Sequence, residues 1–188
     1  MKAMISIILM LGLTSVFSQT TEVDYRNDVQ LNIGSSMYEF FTYGEDETGM
    51  DGLTFIASYN GRLTNVFGFG VYGGLIYSNL NYEGFYWQRP QEGDVKLSER
   101  YLFIGPKLNA YFYNSKKTQV FGSVGLGVGK NTYKEFFDGE MLEERKSDWN
   151  YSYDIQIGAN YYFTENFGLT GALGVKTAFF RIGLTYRY

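Results

Sequence analysis

The chain has 188 residues, 45% hydrophobic and 19% aromatic, with 18 Tyr, 16 Phe, 23 Gly, only 2 Pro and a net charge of −4. Cys and His are both absent, which excludes disulfides, thiolate metal sites and any hydrolase or acyltransferase built on a His-activated nucleophile. With no basic run longer than Lys116-Lys117 or Arg145-Lys146, a nucleic-acid partner is not expected either.

The N-terminus supplies the first element. Met1-Lys2 is a minimal basic segment, Ala3 to Leu13 is apolar, and Val16-Phe17-Ser18 precedes a plausible cut. These features predict a signal peptide over residues 1–18, cleaved after Ser18 to leave Gln19 first. An apolar core this short falls well below the roughly twenty residues of a spanning helix. No Cys follows the cut, so a lipoprotein is not expected. Residues 19–188 suit a single domain. Their hydropathy contains no second helical span, so a chain that enters a membrane must do so as a closed barrel.

Eight alternating segments follow in order. Asp28 to Met37 sets Val29, Leu31 and Ile33 against Gln30 and Asn32, with a parity slip expected beyond Gly34. Leu53 to Leu63 alternates similarly, with Ile56 its one inward apolar residue. Val66 to Ser78 opposes Phe67, Phe69 and Val71 to Gly68, Gly70 and Tyr72. Tyr101 to Tyr113 carries Pro106, which predicts a bulge or a local break in the ladder. Val120 to Lys130 places Gly125, Gly127 and Gly129 on its inner row. Trp149 to Phe163 alternates without exception, and Phe167 to Val175 and Phe179 to Tyr188 complete the set. The fold class expected is all-β, an eight-stranded antiparallel up-and-down transmembrane barrel. The competing soluble, lipocalin-like barrel requires the apolar rows to turn inward.

Connection lengths carry a second signal. Turns are short at Thr64-Asn65, Asn114 to Lys117 and Thr164 to Asn166, whereas Thr42 to Asp51, Asn79 to Ser98 and Asn131 to Asp148 read as long polar loops, and only the loop at Lys176-Thr177 is brief. Related phrases follow the short turns: Val66-Phe67-Gly68, Val120-Phe121-Gly122 and Asn166-Phe167-Gly168. In the last strand Ile182, Leu184, Tyr186 and Tyr188 oppose Arg181, Gly183, Thr185 and Arg187. This terminus resembles the β-signal of bacterial outer-membrane proteins, with Arg181, Gly183, Tyr186 and Tyr188 at the matching positions. The mature chain resembles the small OmpA/OmpX-like outer-membrane barrel family, in the version common in Bacteroidetes. That resemblance implies insertion by the barrel-assembly machinery and residence in the outer membrane among lipid and lipopolysaccharide, with the long loops extracellular. No peptidoglycan-binding domain is expected after the barrel and no plug before it.

Candidate sites divide by face. Arg62, Lys107, Asp154 and Arg181, together with Arg187, have inward parity and are expected to form a polar network in a narrow lumen. Glu45, Asp46, Glu47 and Asp51, and Glu135, Asp138, Glu140, Glu143 and Glu144, form two acidic loop clusters. Their spacing matches no EF-hand, so solvated charge is favoured over a divalent-ion site. Adjacent Glu143 and Glu144 lack the separation across a cleft that glycoside hydrolysis needs. Gly122 to Gly129 lacks the Lys-Ser/Thr ending of a phosphate loop. Tyr82, Phe85, Tyr86, Trp87 and Arg89 form a candidate surface-recognition loop, since Trp, Tyr and Arg supply most interface hot spots. The alternative places Tyr86 and Trp87 in the outer girdle.

The function expected is non-enzymatic, with no cofactor and no resident metal: an envelope-structural or surface-interaction barrel that acts through its loops, with an unidentified surface or envelope protein as partner. Binding or passage of a small or hydrophobic solute, and a place in a secretion or assembly machine, are the two alternatives. If the terminal aromatics serve assembly, Tyr186→Asp or loss of Tyr188 should lower the folded fraction in outer-membrane extracts and raise periplasmic degradation. Unchanged assembly of both variants contradicts the β-signal.

Overall fold

The protein is described by a computed structural model over residues 27–36, 52–85, 92–175 and 177–188. Eight antiparallel strands run in order: β1 Asp28–Ser36, β2 Gly52–Arg62, β3 Phe67–Phe85, β4 Glu92–Asn114, β5 Thr118–Phe137, β6 Glu140–Tyr162, β7 Phe167–Val175 and β8 Phe180–Arg187. Each pairs with its neighbour in sequence, and β1 closes on β8 from Asp28 opposite Arg187 to Ser35 opposite Phe180. The expected signal peptide lies outside the described residues.

Alternation decides which way each strand faces. On β6, Trp149, Tyr153, Ile155 and Ile157 are exposed while Ser152, Asp154, Gln156 and Asn160 are buried. The same outward apolar row recurs in Leu31 and Ile33, Phe69 and Val71, Leu102 and Ile104, Val124 and Leu126, and Ile182 and Leu184. An apolar surface that encircles the molecule far exceeds the patches a soluble monomer exposes. With every strand paired on both sides, it suits lipid. The inward-apolar requirement of a soluble barrel is not met.

Strand lengths are unequal. β4 and β6 have 23 residues each, whereas β7 has 9 and β8 has 8. A tilted strand crosses a bilayer in about 9–11 residues, so roughly half of β4 and of β6 stands beyond the lipid-facing band. The extension lies at the end opposite the tight turns. Two expected loops are thereby corrected. Asn79 to Ser98 is mostly hairpin, with Phe85 paired to Glu92, and Asn131 to Asp148 is a hairpin closed at Asp138-Gly139. Both turn residues have positive φ, 48° and 82°, the conformation an Asp-Gly hairpin turn supplies.

Among the described residues the ladder has four irregularities. Around Pro106, β4 keeps its register with β5 from Ile104–Val128 to Lys107–Gly125, but the intervening pairs are missing, as a residue without an N–H requires. That is the local break, and the bulge sits elsewhere, between Tyr111 and Tyr113. Further shifts occur between β5 and β6 near Lys130 and Glu135. No slip follows Gly34: pairing runs unshifted to Ser36, and Met37 lies outside the described residues.

Lumenal glycines seat aromatic rings. A Cβ on Gly125 would lie 2.6 Å from the Tyr72 ring, one on Gly74 2.7 Å from Phe103, and one on Gly158 2.8 Å from Phe121. Tyr72 and Phe103 join Ile56, Ile76 and Ala178 in an apolar cluster inside the barrel, their rings 5.7 Å apart. Gly125→Val should therefore lower the unfolding free energy by about 1–3 kcal/mol through overpacking, measured by urea titration in detergent. Combination with Tyr72→Leu should recover part of the loss. Strictly additive losses contradict the ring seat.

Candidate functional site

Polar side chains fill what the rings leave. Asp154 on β6 accepts two hydrogen bonds from the Arg181 guanidinium of β8, at 2.9 and 3.1 Å, and a third from the Thr177 hydroxyl. All three residues are buried. Thr177 belongs to the brief β7–β8 connection, and its carbonyl accepts from Thr54 on β2 at 3.1 Å. The connection thus folds into the barrel mouth. Thr177 and the neighbouring Ala178 are fully buried, Phe179 N–H donates to the Ser35 carbonyl at 2.9 Å, and Gly174 N–H donates to the Phe179 carbonyl at 2.9 Å.

Nearer the tight turns, Asp28 accepts from Asn60 at 2.7 Å and from Gln30 at 3.0 Å, and Asn60 accepts from Asn109 at 3.1 Å. Cross-strand register explains this assembly: Asp28 pairs with Asn60, Asn60 with Gly70, Gly70 with Lys107, Lys107 with Gly125 and Gly125 with Asp154. One inward row therefore winds around the wall, and glycines flank the buried Lys107. The Lys107 ammonium lies 3.5 Å from the Ser58 hydroxyl, and Asp28, Asp154 and Arg181 all act on its charge.

Two arginines close the turn end. The Arg62 guanidinium sits 3.8 Å over the Tyr111 ring and donates to Asn114 at 3.2 Å. Arg187 sits 3.7 Å over Tyr162 and donates to the carbonyls of Glu165 and Lys116, both at 2.6 Å. Of Arg62, Lys107, Asp154 and Arg181, the structure joins Asp154 to Arg181 directly, sets Lys107 within range of both charges and seats Arg62 apart on an aromatic floor. Asp28 and Thr177 are further buried members: Asp28 shares the inward parity of Gln30 and Asn32, whereas strand parity does not reach Thr177. Asp28 opens β1, and Thr177 lies in a turn.

No protein-family model matches the chain, and no curated protein matches it by sequence. Solved structures do. The outer-membrane protein OprG from Pseudomonas aeruginosa is 12% identical over 90% of this chain and 99% of that one, with a TM-score of 0.53. This chain has the fold of the small outer-membrane β-barrels. The attachment invasion locus protein Ail of Yersinia pestis is 18% identical over 88% of this chain and 100% of that one, with a TM-score of 0.49. The N-terminal β-barrel domain of Pseudomonas aeruginosa OprF is 12% identical over 87% and 98%, with a TM-score of 0.44. The likeness concerns fold alone.

The remaining candidates fall at the barrel's two ends. Gly183 has no room for a Cβ, which would meet the Leu31 carbonyl and Asn32. Tyr186 packs against Phe167 at 4.8 Å and Tyr188 at 6.2 Å, so the terminal aromatics form an outward cluster at the turn end. Tyr82 and Phe85 belong to strand β3 instead of a loop. Tyr86, Trp87 and Arg89, like Glu45, Asp46, Glu47 and Asp51, lie outside the described residues. In the β5–β6 hairpin Glu144 pairs with Lys146 at 3.6 Å and Lys134 at 3.8 Å, and no metal-binding cluster occurs among the described residues.

Removing one partner of a buried ion pair typically costs about 3–5 kcal/mol because the other charge is left uncompensated. Arg181→Met should lose about that much in detergent refolding, where no assembly machinery acts. The double variant Asp154→Leu with Arg181→Met should lose markedly less. Equal losses from single and double variants contradict the pairing as the source of the effect.

Proposed function

We propose that the protein is a non-enzymatic outer-membrane barrel that works by surface interaction, with the tall β3–β6 wall outside the cell and the termini and tight turns in the periplasm. The observation that carries this reading is the contrast between a filled interior and a projecting wall. Eight strands leave room for little beyond their own side chains. Here Asp154, Arg181 and Thr177, the ring cluster and the two stacked arginines occupy that room. The upper parts of β3, β4, β5 and β6 serve neither lipid crossing nor barrel closure, which leaves them as the part available to a partner.

Outer-membrane residence is supported by the lipid-facing belt, by the fold shared with OprG and by the expected signal peptide. The terminal residues Arg181, Gly183, Tyr186 and Tyr188 are taken as the recognition element for assembly. The upper hairpins, including Tyr82 and Phe85, are taken as the surface presented to other envelope proteins or cells.

Purified monomer in planar bilayers should show no stable porin-like conductance, and removal of residues 80–97 should leave a heat-modifiable, inserted barrel that has lost surface binding. Large, steady single-channel steps from the intact monomer contradict a filled lumen and favour solute passage. Full retention of binding by the shortened barrel contradicts the role of the β3–β4 hairpin.

A further inference from the structure

The chain carries a net negative charge, yet one patch on its outer wall is cationic. Arg100 on β4 pairs with Thr132 on β5, and Thr132 with Lys146 on β6. Lys130 and Lys134 lie two positions to either side of Thr132 on the same strand face, so both stand diagonally beside Arg100, and Lys134 stands diagonally beside Lys146, while the β6 shift between Lys146 and Trp149 separates Lys146 from Lys130. Diagonal neighbours of this kind lie within about 7–8 Å of each other. Among the described residues Glu144 answers these four cations from the same face, where it bonds Lys134 and Lys146. Arg100 is held by the Tyr77 ring, 5.0 Å from its guanidinium.

Height and orientation identify what meets this patch. Arg100, Lys130 and Lys134 have the outward parity of Leu102, Ile104, Leu126 and Val128, the lipid-facing residues below them, and Lys146 joins their face through the β6 shift that sets it opposite Thr132. Lys130 pairs with Leu102 on one side and with Trp149 on the other. Trp149 and Tyr151 are outward and exposed, Tyr151 at 93%, in the position of an interfacial aromatic girdle. The charges therefore sit where acyl chains give way to headgroups, beside aromatic faces.

We propose that the outer face of β4–β6, centred on Arg100, Lys130, Lys134 and Lys146, binds the phosphorylated sugar headgroup of an outer-leaflet glycolipid. The cations contact phosphate, with Arg100 offering the planar donor fork suited to it. Trp149 and Tyr151 lie against the sugar rings. This inference rests on the outer-membrane reading above, with the tall wall outward.

The test uses refolded full-length barrel in detergent, titrated with deep-rough lipopolysaccharide, with its dephosphorylated form and with phosphatidylglycerol. Wild type should bind the phosphorylated glycolipid at least tenfold more tightly than either control. The combined variant Arg100→Gln, Lys130→Gln and Lys134→Gln should lose that preference while keeping the heat-modifiable folded band. Lys116→Gln with Lys117→Gln, at the opposite rim, should retain it. Charge-retaining Arg100→Lys with Lys130→Arg should keep most of the affinity. Equal binding of phosphatidylglycerol, or undiminished preference in the triple variant, overturns the proposal. Failure of the outer-membrane reading shows separately, as wild-type protein absent from outer-membrane fractions, whatever its lipid affinity in detergent.

Discussion

Closure of β1 on β8 is the constraint on which the rest of the structure depends. A strand edge in hydrocarbon would leave a row of backbone N–H and C=O groups without partners, each costing several kcal/mol. The eight pairs from Asp28–Arg187 to Ser35–Phe180 remove that edge. Once the sheet is closed with so few strands, its interior is narrow and must be filled. Once it faces lipid, its exterior must be apolar all round. The composition follows from both demands at once: aromatic and aliphatic residues outside, glycines and polar residues inside.

Filling the interior sets a second problem, because charges placed there lose their hydration. Asp154 and Arg181 answer it by pairing one guanidinium nitrogen with both carboxylate oxygens, supported by Thr177. Arg62 and Arg187 answer it differently, with their guanidinium planes laid on Tyr111 and Tyr162. The inward-folded β7–β8 connection makes these solutions interdependent, since Thr177 bonds both Asp154 and Thr54. A short last connection is therefore part of the interior packing as well as a link between strands.

How far the sequence discloses this depends on the solvent each residue meets. Trp149 to Phe163 can be read directly because lipid on one face and a polar lumen on the other enforce strict alternation. Residues 131–137 and 140–148 are also strand, but beyond the hydrocarbon neither face of a hairpin meets acyl chains and strict alternation has no cause. The Asp138-Gly139 dipeptide is the one local mark of that hairpin. Parity places Asp154 and Arg181 inside the barrel, whereas their contact depends on the stagger of three strands and cannot be read locally. Gly125 and Gly158 are legible as inward glycines, but the rings of Tyr72 and Phe121 that use their space come from other strands.

The absence of Cys permits a direct test of the filled, lipid-embedded barrel: single Cys variants at Ile155, Gln156 and Ile157, spin-labelled after reconstitution, with accessibility measured to oxygen in the lipid and to a water-soluble nickel chelate. The account predicts high oxygen and low nickel accessibility at 155 and 157, and low accessibility to both reagents at 156. Strong nickel accessibility at 156 would reveal a water-filled lumen, and strong nickel accessibility at all three positions would contradict a membrane-spanning β6.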